Sequence, residues 1–561
     1  METLTQNKNY IWLKHYSKGV PYEINPDSYS SLVELMEESF AKFAGRPAFT
    51  NMGVELTFAD MDRLSRNFAS FLQNDLGLQK GDHIALQMPN ILQYPVAMFG
   101  ALRAGLSVVN TNPLYTPREM EHQFKDSKVK AVVILANFAV NLEKILDKTE
   151  IKHVIVTELG DLFGFPKKLI VNSVVKYIKK MVPSYKISNA VSFSKAVQAD
   201  GKRLKPVNLK NSDIAFIQYT GGTTGISKGA MLTHRNIIAN VEMNYVWMRS
   251  GTDETIQNMF VTALPLYHIY SLTVNALTAL KSGSTNLLIT NPRDMKAFIK
   301  DLKKYKFTIF TGVNTLYNGL LNHPDFGTID FSYLKITSAG GMALHKAVAE
   351  KWAKATGCVP AEGYGLSETS PVLCSNNIDG TARLGTIGIP WPSTEMKIVR
   401  EDGSDAAVGE SGEIWARGPQ VMPGYWNRPD ETAKVFSGDW FKTGDIGVMD
   451  EDGFFSIVDR KKDMIVVSGM KVFPNEIEDV LARHPGVLEV ACIGVPDAKS
   501  SEAVKIFVVK KEQELTEDEL RKYCRENFTG YKVPKHIEFR KELPKSNIGK
   551  IIRRMLKETP A

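Results

Sequence analysis

Tyr219-Thr-Gly-Gly-Thr-Thr-Gly-Ile-Ser-Lys-Gly-Ala230 decides how the rest of the chain is read. It follows an apolar segment, residues 214–217, that predicts a buried strand, and a helix-like segment opens near Thr233-His-Arg-Asn236. Backbone N–H groups of a glycine loop approach phosphate oxygens closely, threonine hydroxyls add donors, and Lys228 adds charge. The stretch points to a nucleotide triphosphate. The Walker A pattern does not fit, because it needs glycine directly before the lysine and Ser or Thr directly after. Here Ser227 precedes Lys228 and Gly229 follows it, so a different phosphate loop is required.

A chain of 561 residues exceeds one ordinary core and predicts more than one domain. Its 43% hydrophobic and 23% charged residues are those of a soluble globular protein. The net charge of +7, from 69 basic and 62 acidic residues, is spread too thinly to signal a nucleic-acid partner. It mildly favours anionic ligands or an anionic membrane surface. Four cysteines without metal-ligand spacing suit a reducing cytosol. No signal peptide is evident, and no apolar run reaches the roughly 18 residues of a membrane span. The expected location is cytoplasmic.

Residues 1–30, with Trp12, Tyr16 and Tyr22, read as an ordered but irregular lead-in. Phe58, Met61, Leu64, Phe68 and Phe71 follow helical spacing behind Thr57 and Asp60. Thr116-Pro-Arg-Glu119 is a capping box with proline at the first helical position. Residues 83–88, 129–135 and 153–156 read as strands. This alternation predicts an α/β architecture with much parallel pairing.

Residues 161–185 stand apart. Ile170, Val174, Tyr177, Ile178 and Met181 share one helical face, with Lys167, Lys168, Lys176, Lys179 and Lys180 around it. A basic amphipathic helix suits an anionic membrane surface. The plainer reading, a surface helix packed on the domain with solvated lysines, is preferred, and peripheral contact with the inner membrane stays open.

Beyond the glycine loop, residues 260–270 read as an apolar strand with His268 at its end, where a lone histidine is most often structural. Residues 307–312 and 334–338 are further strands, the second running into Ala339-Gly-Gly-Met342, and Glu362-Gly-Tyr-Gly-Leu-Ser-Glu-Thr369 follows at a similar strand end. In α/β sheets, ligands bind outside the carboxyl ends of the strands. Tyr364 offers a flat face to a base and Glu368 a hard oxygen to Mg²⁺. Several such loops together suggest one composite nucleotide site. From residue 385, short alternating stretches predict a small antiparallel β subdomain. Asp445, between glycines, suits ribose hydroxyls, although a turn aspartate is the commoner reading. The charged run 458–464 reads as a solvated loop or a domain joint. The last 100 or so residues suffice for a separate α+β domain. Lys550 follows Pro, Ser, Asn and Gly, a loop able to project it into a cleft, though a surface lysine is the commoner case.

In this order, residues 219–230, 264–268, 338–341, 363–368, 443–445, 459–463 and 544–550 resemble the motifs of the adenylate-forming superfamily: acyl-CoA synthetases, adenylation domains and beetle luciferases. The resemblance covers nearly the whole chain. It looks closest to bacterial long-chain fatty-acid–CoA ligases, through residues 438–447 and 457–462, Asn291-Pro-Arg-Asp294 and Gly312-Val-Asn-Thr315. One departure is Lys462, where many relatives carry aspartate.

The resemblance implies an α/β N-terminal domain, 1–458, of mixed, largely parallel sheets with helices, including a β subdomain over about 385–458. It also implies a hinge at 459–463 and a small mobile α+β domain, 464–561. A fatty acid carboxylate would attack the α-phosphorus of ATP, giving acyl-adenylate and pyrophosphate. CoA would then displace AMP, and the acyl-CoA would feed β-oxidation. Behind Tyr219, the residues Thr220, Gly221, Gly222, Thr223, Thr224, Gly225 and Lys228 would hold the β- and γ-phosphates. Thr220 and Glu368 would hold Mg²⁺, and Gly340, Gly341, Gly363, Tyr364 and Gly365 would frame adenine. Asp445 and Arg460 would grip the ribose. His268 would sit near the acyl carboxylate, and Lys550 would bridge carboxylate and α-phosphate. Asp459 and Lys462 would form the hinge. The implied partners are a long-chain fatty acid, ATP and CoA, with a homodimer left open. Medium-chain or aryl-CoA ligases, a luciferase-like oxygenase and CoA-independent acyl-adenylate ligases share the scaffold. Intact Glu368, Asp445 and Lys550 argue against a catalytically silent binding protein.

Overall fold

The computed structural model describes residues 10–220, 227–253, 255–497, 499–511, 514–546 and 549–557. An eight-stranded sheet carries six parallel strands in the order Ile214–Thr220, Ser107–Asn110, His83–Gln87, Val129–Leu135, His153–Thr157 and Ala190–Ser192. A nine-stranded sheet carries six more: Pro360–Gly365, Ile336–Ala339, Ile309–Gly312, Met259–Thr262, Thr285–Leu288 and Pro47–Asn51. The central strands are almost wholly buried because parallel strands are covered on both faces. The sheets are joined by buried polar side chains. Asn90 Nδ2 donates to the carbonyls of Thr262 and Leu264, both at 2.9 Å, and Gln218 Nε2 donates to Tyr267 O at 3.0 Å. Helices Phe58–Asn74 and Pro117–Asp126 start at the expected capping boxes, each contributing about 1 kcal/mol.

Five antiparallel strands form the β subdomain: Glu395–Val399, Gly412–Arg417, Trp440–Met449, Phe436–Ser437 and Phe455–Arg460. A further sheet, with the long hairpin Val487–Asp497 and Ser501–Lys510, packs with helices Pro474–Leu481 and Glu517–Asn527 around its own core of Ile465, Ile477, Ile506 and Leu520. The fold is the expected α/β architecture with a small C-terminal α+β domain.

Three local readings change. The glycine loop links two antiparallel strands, Ile214–Thr220 and Lys228–Thr233, with Thr220 opposite Lys228. Helix His234–Arg249 opens where expected, capped by Thr233 and Asn236, but a strand not foreseen stands between it and the loop. The strand expected over 260–270 ends at Thr262, because Pro265 cannot donate to a ladder. His268 instead closes a turn, its N–H donating to Pro265 O at 3.0 Å.

The third change concerns residues 161–185, where no continuous helix forms. An α-helical piece, Lys167–Ser173, passes into a π-helical turn, Val174–Ile178. Its polar side chains face the domain. Lys168 Nζ lies 3.3 Å from Asp161 and donates to Ser194 Oγ at 2.7 Å, and Asn172 Nδ2 donates to Glu158 at 2.9 Å. The apolar face expected to pack inward therefore points out. Phe165 is 85%, Ile178 74% and Tyr177 67% exposed, and Leu169, Ile170 and Met181 join them.

The N-terminal lead-in is a strap. Trp12 packs edge-on to Phe455 and against Gly453. Tyr16 stands edge-on to Trp247 and donates to Pro390 O at 2.8 Å.

Candidate functional site

The carboxyl ends of both parallel arrays, the β subdomain and the C-terminal domain open on one cavity of about 1910 Å³, larger than the roughly 300–1,000 Å³ of a single-ligand pocket. Tyr219, Thr220, Lys228, His268, Gly340, Gly341, Gly363, Tyr364, Gly365, Glu368, Asp445, Arg460, Lys462 and Lys550 all line it. Gly221, Gly222, Thr223, Thr224 and Gly225 lie outside the described residues. Asp459 does not line the cavity; it is fully buried behind it.

Strand Trp440–Met449 pairs Asp445 with Arg460 of the next strand. Asp445 accepts a hydrogen bond from Tyr364 Oη at 2.6 Å and lies 3.3 Å from Arg460 Nε. Lys550 is brought in by a tight hairpin in which Lys550 N donates to Ser546 Oγ at 3.1 Å. Gly549 has φ +81°, and a Cβ there would meet Thr315 Oγ1 at 2.5 Å, so only glycine lets the hairpin dock. Thr315 Oγ1 donates to Gly549 O at 3.0 Å. Burial, then the nearby Arg460 guanidinium, pull the Lys550 pKa down to about 7, with Asp445 opposing. Burial and the Lys550 charge pull His268 down to about 4. Its Nδ1 accepts from Tyr270 N at 3.2 Å, which leaves Nε2 as the donor of the neutral ring.

Burial raises the Glu368 pKa, and its carboxylate accepts from Tyr425 Oη at 2.7 Å. Lys228 lies over the Tyr425 ring, 4.7 Å from its centroid, and 2.8 Å from Glu431. Tyr219 is fixed by Asp126, which accepts its hydroxyl at 2.7 Å and also holds Arg428 at 2.5 Å. Among the described residues, no group of three or more His, Cys, Asp or Glu is arranged to hold a metal ion. A lone carboxylate beside a phosphate loop still fits Mg²⁺, which binds through one or two carboxylates together with substrate phosphates.

The cavity has two further arms. One is apolar and buried, lined by Trp247, Met248, Phe260, Val274, Ile309 and Ile336. The other, on the C-terminal domain, is lined by Arg483, Lys511, Lys545, Arg554 and Lys557. One cavity lined by buried apolar side chains, by Tyr364 and Asp445, and by the cation Lys550 suits joining an apolar acid to a nucleotide.

Residues 36–426 match the model of the AMP-binding enzyme family, and residues 476–550 match that of the AMP-binding enzyme C-terminal domain. The chain belongs to the AMP-binding enzyme family. It is 55% identical over 554 residues to a long-chain-fatty-acid--CoA ligase of Escherichia coli O157:H7, covering 98% of both chains. It is 40% identical to one of Bacillus subtilis (strain 168), covering 98% of this chain and 97% of the relative. Among solved structures, the anthranilate CoA ligase AuaEII in complex with anthranoyl-AMP matches with TM-score 0.85 and 25% identity, over 95% of this chain and 98% of that one. ATP-bound MatB from Rhodopseudomonas palustris matches with TM-score 0.79 and 26% identity, over 94% and 98%.

Some members of this AMP-binding site escaped sequence reading. Tyr425, Glu431 and Asp126 act through long-range pairing that no local pattern announces. Glu362 does adjoin the glycine motif. It lines the cavity with its pKa pushed up to about 8 by burial, and accepts from Leu344 N at 3.1 Å.

Proposed function

We propose that this enzyme is a long-chain fatty acid–CoA ligase, AMP-forming, working through an acyl-adenylate. The observation that carries the reading is one cavity whose lining joins buried apolar side chains, Trp247, Phe260 and Ile309 among them, to Lys550, Tyr364 and Asp445. A carboxylate oxygen attacks the α-phosphorus as the bond to pyrophosphate breaks. The CoA thiol sulfur then attacks the acyl carbonyl and AMP leaves. Two anions must meet in the first step, so alignment and charge neutralisation dominate catalysis.

Lys550 bridges carboxylate and α-phosphate. His268, neutral, donates from Nε2 toward the carboxylate. Tyr364 with Gly340, Gly341, Gly363 and Gly365 frames the base, and Asp445 and Arg460 hold the ribose. Lys228 and the glycine loop take the outer phosphates. Glu368 with Thr220 would hold Mg²⁺, which when bound neutralises phosphate charge. The basic arm receives the phosphates of CoA. After adenylation, residues 464–561 rotate about Asp459–Lys462, withdrawing Lys550 and opening the thiol path.

The test is pyrophosphate release across a fatty-acid length series, with and without CoA. Turnover should rise with chain length and AMP release should need CoA; selectivity for aryl acids or CoA-independent AMP release would overturn the reading. Lys550→Ala should slow adenylation about 10²–10³-fold, on the scale of losing a positioned transition-state donor. Thioester formation from supplied acyl-adenylate should persist, and equal slowing of both steps would refute the assigned role.

The enzyme also docks on anionic membrane. Among the described residues, no helix is long and apolar enough to cross a bilayer. The exposed face of Phe165, Leu169, Ile170, Tyr177 and Ile178, with Lys176, Lys179 and Lys180 exposed beside it, suits insertion at a headgroup boundary. Leu169→Asp with Ile178→Asp should lower vesicle binding by about 100-fold or more. The check is co-sedimentation with phosphatidylglycerol and with phosphatidylcholine vesicles; binding that is unchanged, or indifferent to lipid charge, counts against this surface.

A further inference from the structure

Arg553 begins the short helix Arg553–Lys557, three residues beyond Lys550, and is one of the most heavily bonded buried cations in the protein. Its Nη2 donates to Asn475 Oδ1 at 2.6 Å and Glu478 Oε2 at 2.9 Å, and its Nε donates to Glu478 Oε1 at 3.2 Å. Nη1 reaches Asp459 Oδ1 and Asp463 Oδ2, both at 3.4 Å. The other Asp459 oxygen accepts from Asn475 N at 2.8 Å, and Oδ1 also accepts from Arg460 N at 2.7 Å. Asp459 is fully buried, and removing one partner of such a group leaves an uncompensated charge.

Resting on the pivot at Lys462 proposed above, these residues fall on opposite sides. Asp459 stays with the N-terminal domain, whereas Asn475, Glu478 and Arg553 travel with the C-terminal domain. The Lys550 hairpin is closed at its base by Ile552 N donating to Pro544 O at 2.8 Å, directly before Arg553. A guanidinium fork bound at several points fixes direction as well as position.

We propose that Arg553 is a positioning residue for the adenylation step: it ties the base of the Lys550 hairpin to Asp459 across the pivot and so sets where the lysine ammonium stands. The tie belongs to the closed arrangement and is released when the domain turns for thioester formation. Arg553 acts through Lys550, and the test below separates this from a direct role.

The test compares half-reactions in the full-length enzyme. Arg553→Met should slow pyrophosphate release without CoA by about 10–100-fold, the scale of a misplaced catalytic group. KM for ATP and thioester formation from supplied acyl-adenylate should each stay within about 3-fold, because the phosphate loop is untouched. Arg553→Lys, which keeps charge but not the fork, should recover part of the loss. Asp459→Asn should slow the same step, and combining it with Arg553→Met should add less than the sum. Equal slowing of both half-reactions by Arg553→Met overturns the role. Unchanged adenylation in Asp459→Asn overturns it too, and this arm decides the matter if Arg553→Met does not fold. Lys462→Pro tests the pivot separately. Selective loss of thioester formation supports the pivot even where the Arg553 tie fails, and equal loss in both steps removes the pivot.

Discussion

Lys550 sits where burial and charge oppose its own ionisation. Arg460, Lys462 and Arg553 act on it as cations, Asp445 as an anion, and His268 is neutral. With a pKa of about 7 against an ordinary 10.5, the docked lysine binds fewer protons than an undocked one between those values. Without substrate, closure therefore gains as pH rises through that window. Substrate reverses the sign, because a carboxylate and phosphates raise the pKa and draw a proton in. Binding of ATP with a fatty acid near pH 8 should take up a fraction of a proton, seen by calorimetry in buffers of different ionisation enthalpy. Heat independent of buffer, or the same uptake in Lys550→Gln, would count against it.

At the scale of elements, the hairpin bearing the glycine loop is met by helix Pro429–Val435, whose Glu431 pairs with Lys228 and, on the proposed function, competes with phosphate for it. Glu431→Gln should lower KM for ATP roughly 2–5-fold, the worth of an exposed ion pair, with kcat little changed. A higher KM would mean that Glu431 orients Lys228 instead of competing for it. Capping boxes at Thr57 and Thr116 and the parallel strands were legible in the sequence because their determinants are local: hydroxyl, carboxylate and apolar run stand within a few residues. The seven motif stretches were legible as a set, because their residues and their order along the chain match those of one superfamily. His268 was misplaced on a strand because apolar pattern outweighed a single proline. The inverted face of residues 165–181 was unreadable because which side of a short helix meets the domain depends on Asp161, Glu158 and Ser194. No local pattern announces Arg553, because its partners lie 75 to 94 residues away.

For the whole molecule, polar contacts hold the two domains together beyond the Arg553 and Asn475 bonds to Asp459. Asn318 Nδ2 donates to Leu488 O at 3.0 Å, Thr315 to Gly549 O, and His345 lies 3.9 Å from Asp479. Hydrogen bonds of this kind contribute only about 0.5–1.5 kcal/mol each, so the interface can open on the timescale of turnover. Cysteines at positions 318 and 488, joined by a short thiol crosslinker, should leave adenylation within a few-fold of normal and abolish thioester formation. Retained thioester formation after complete crosslinking would show that the domain need not turn.

The N-terminal strap carries a different consequence, one for the chain while it is being made. Lys14 reaches Asp452 across a sequence separation of 438 residues. At about 5–20 residues per second, synthesis leaves a delay of roughly 20–90 s before that partner exists. Trp12 has no Phe455 to cover it for the whole of that delay, and Tyr16 lacks first Trp247 and then, for longer, Pro390. Aromatic residues made early are thus buried late, and the nascent large domain depends on this strap remaining soluble until its partners are made.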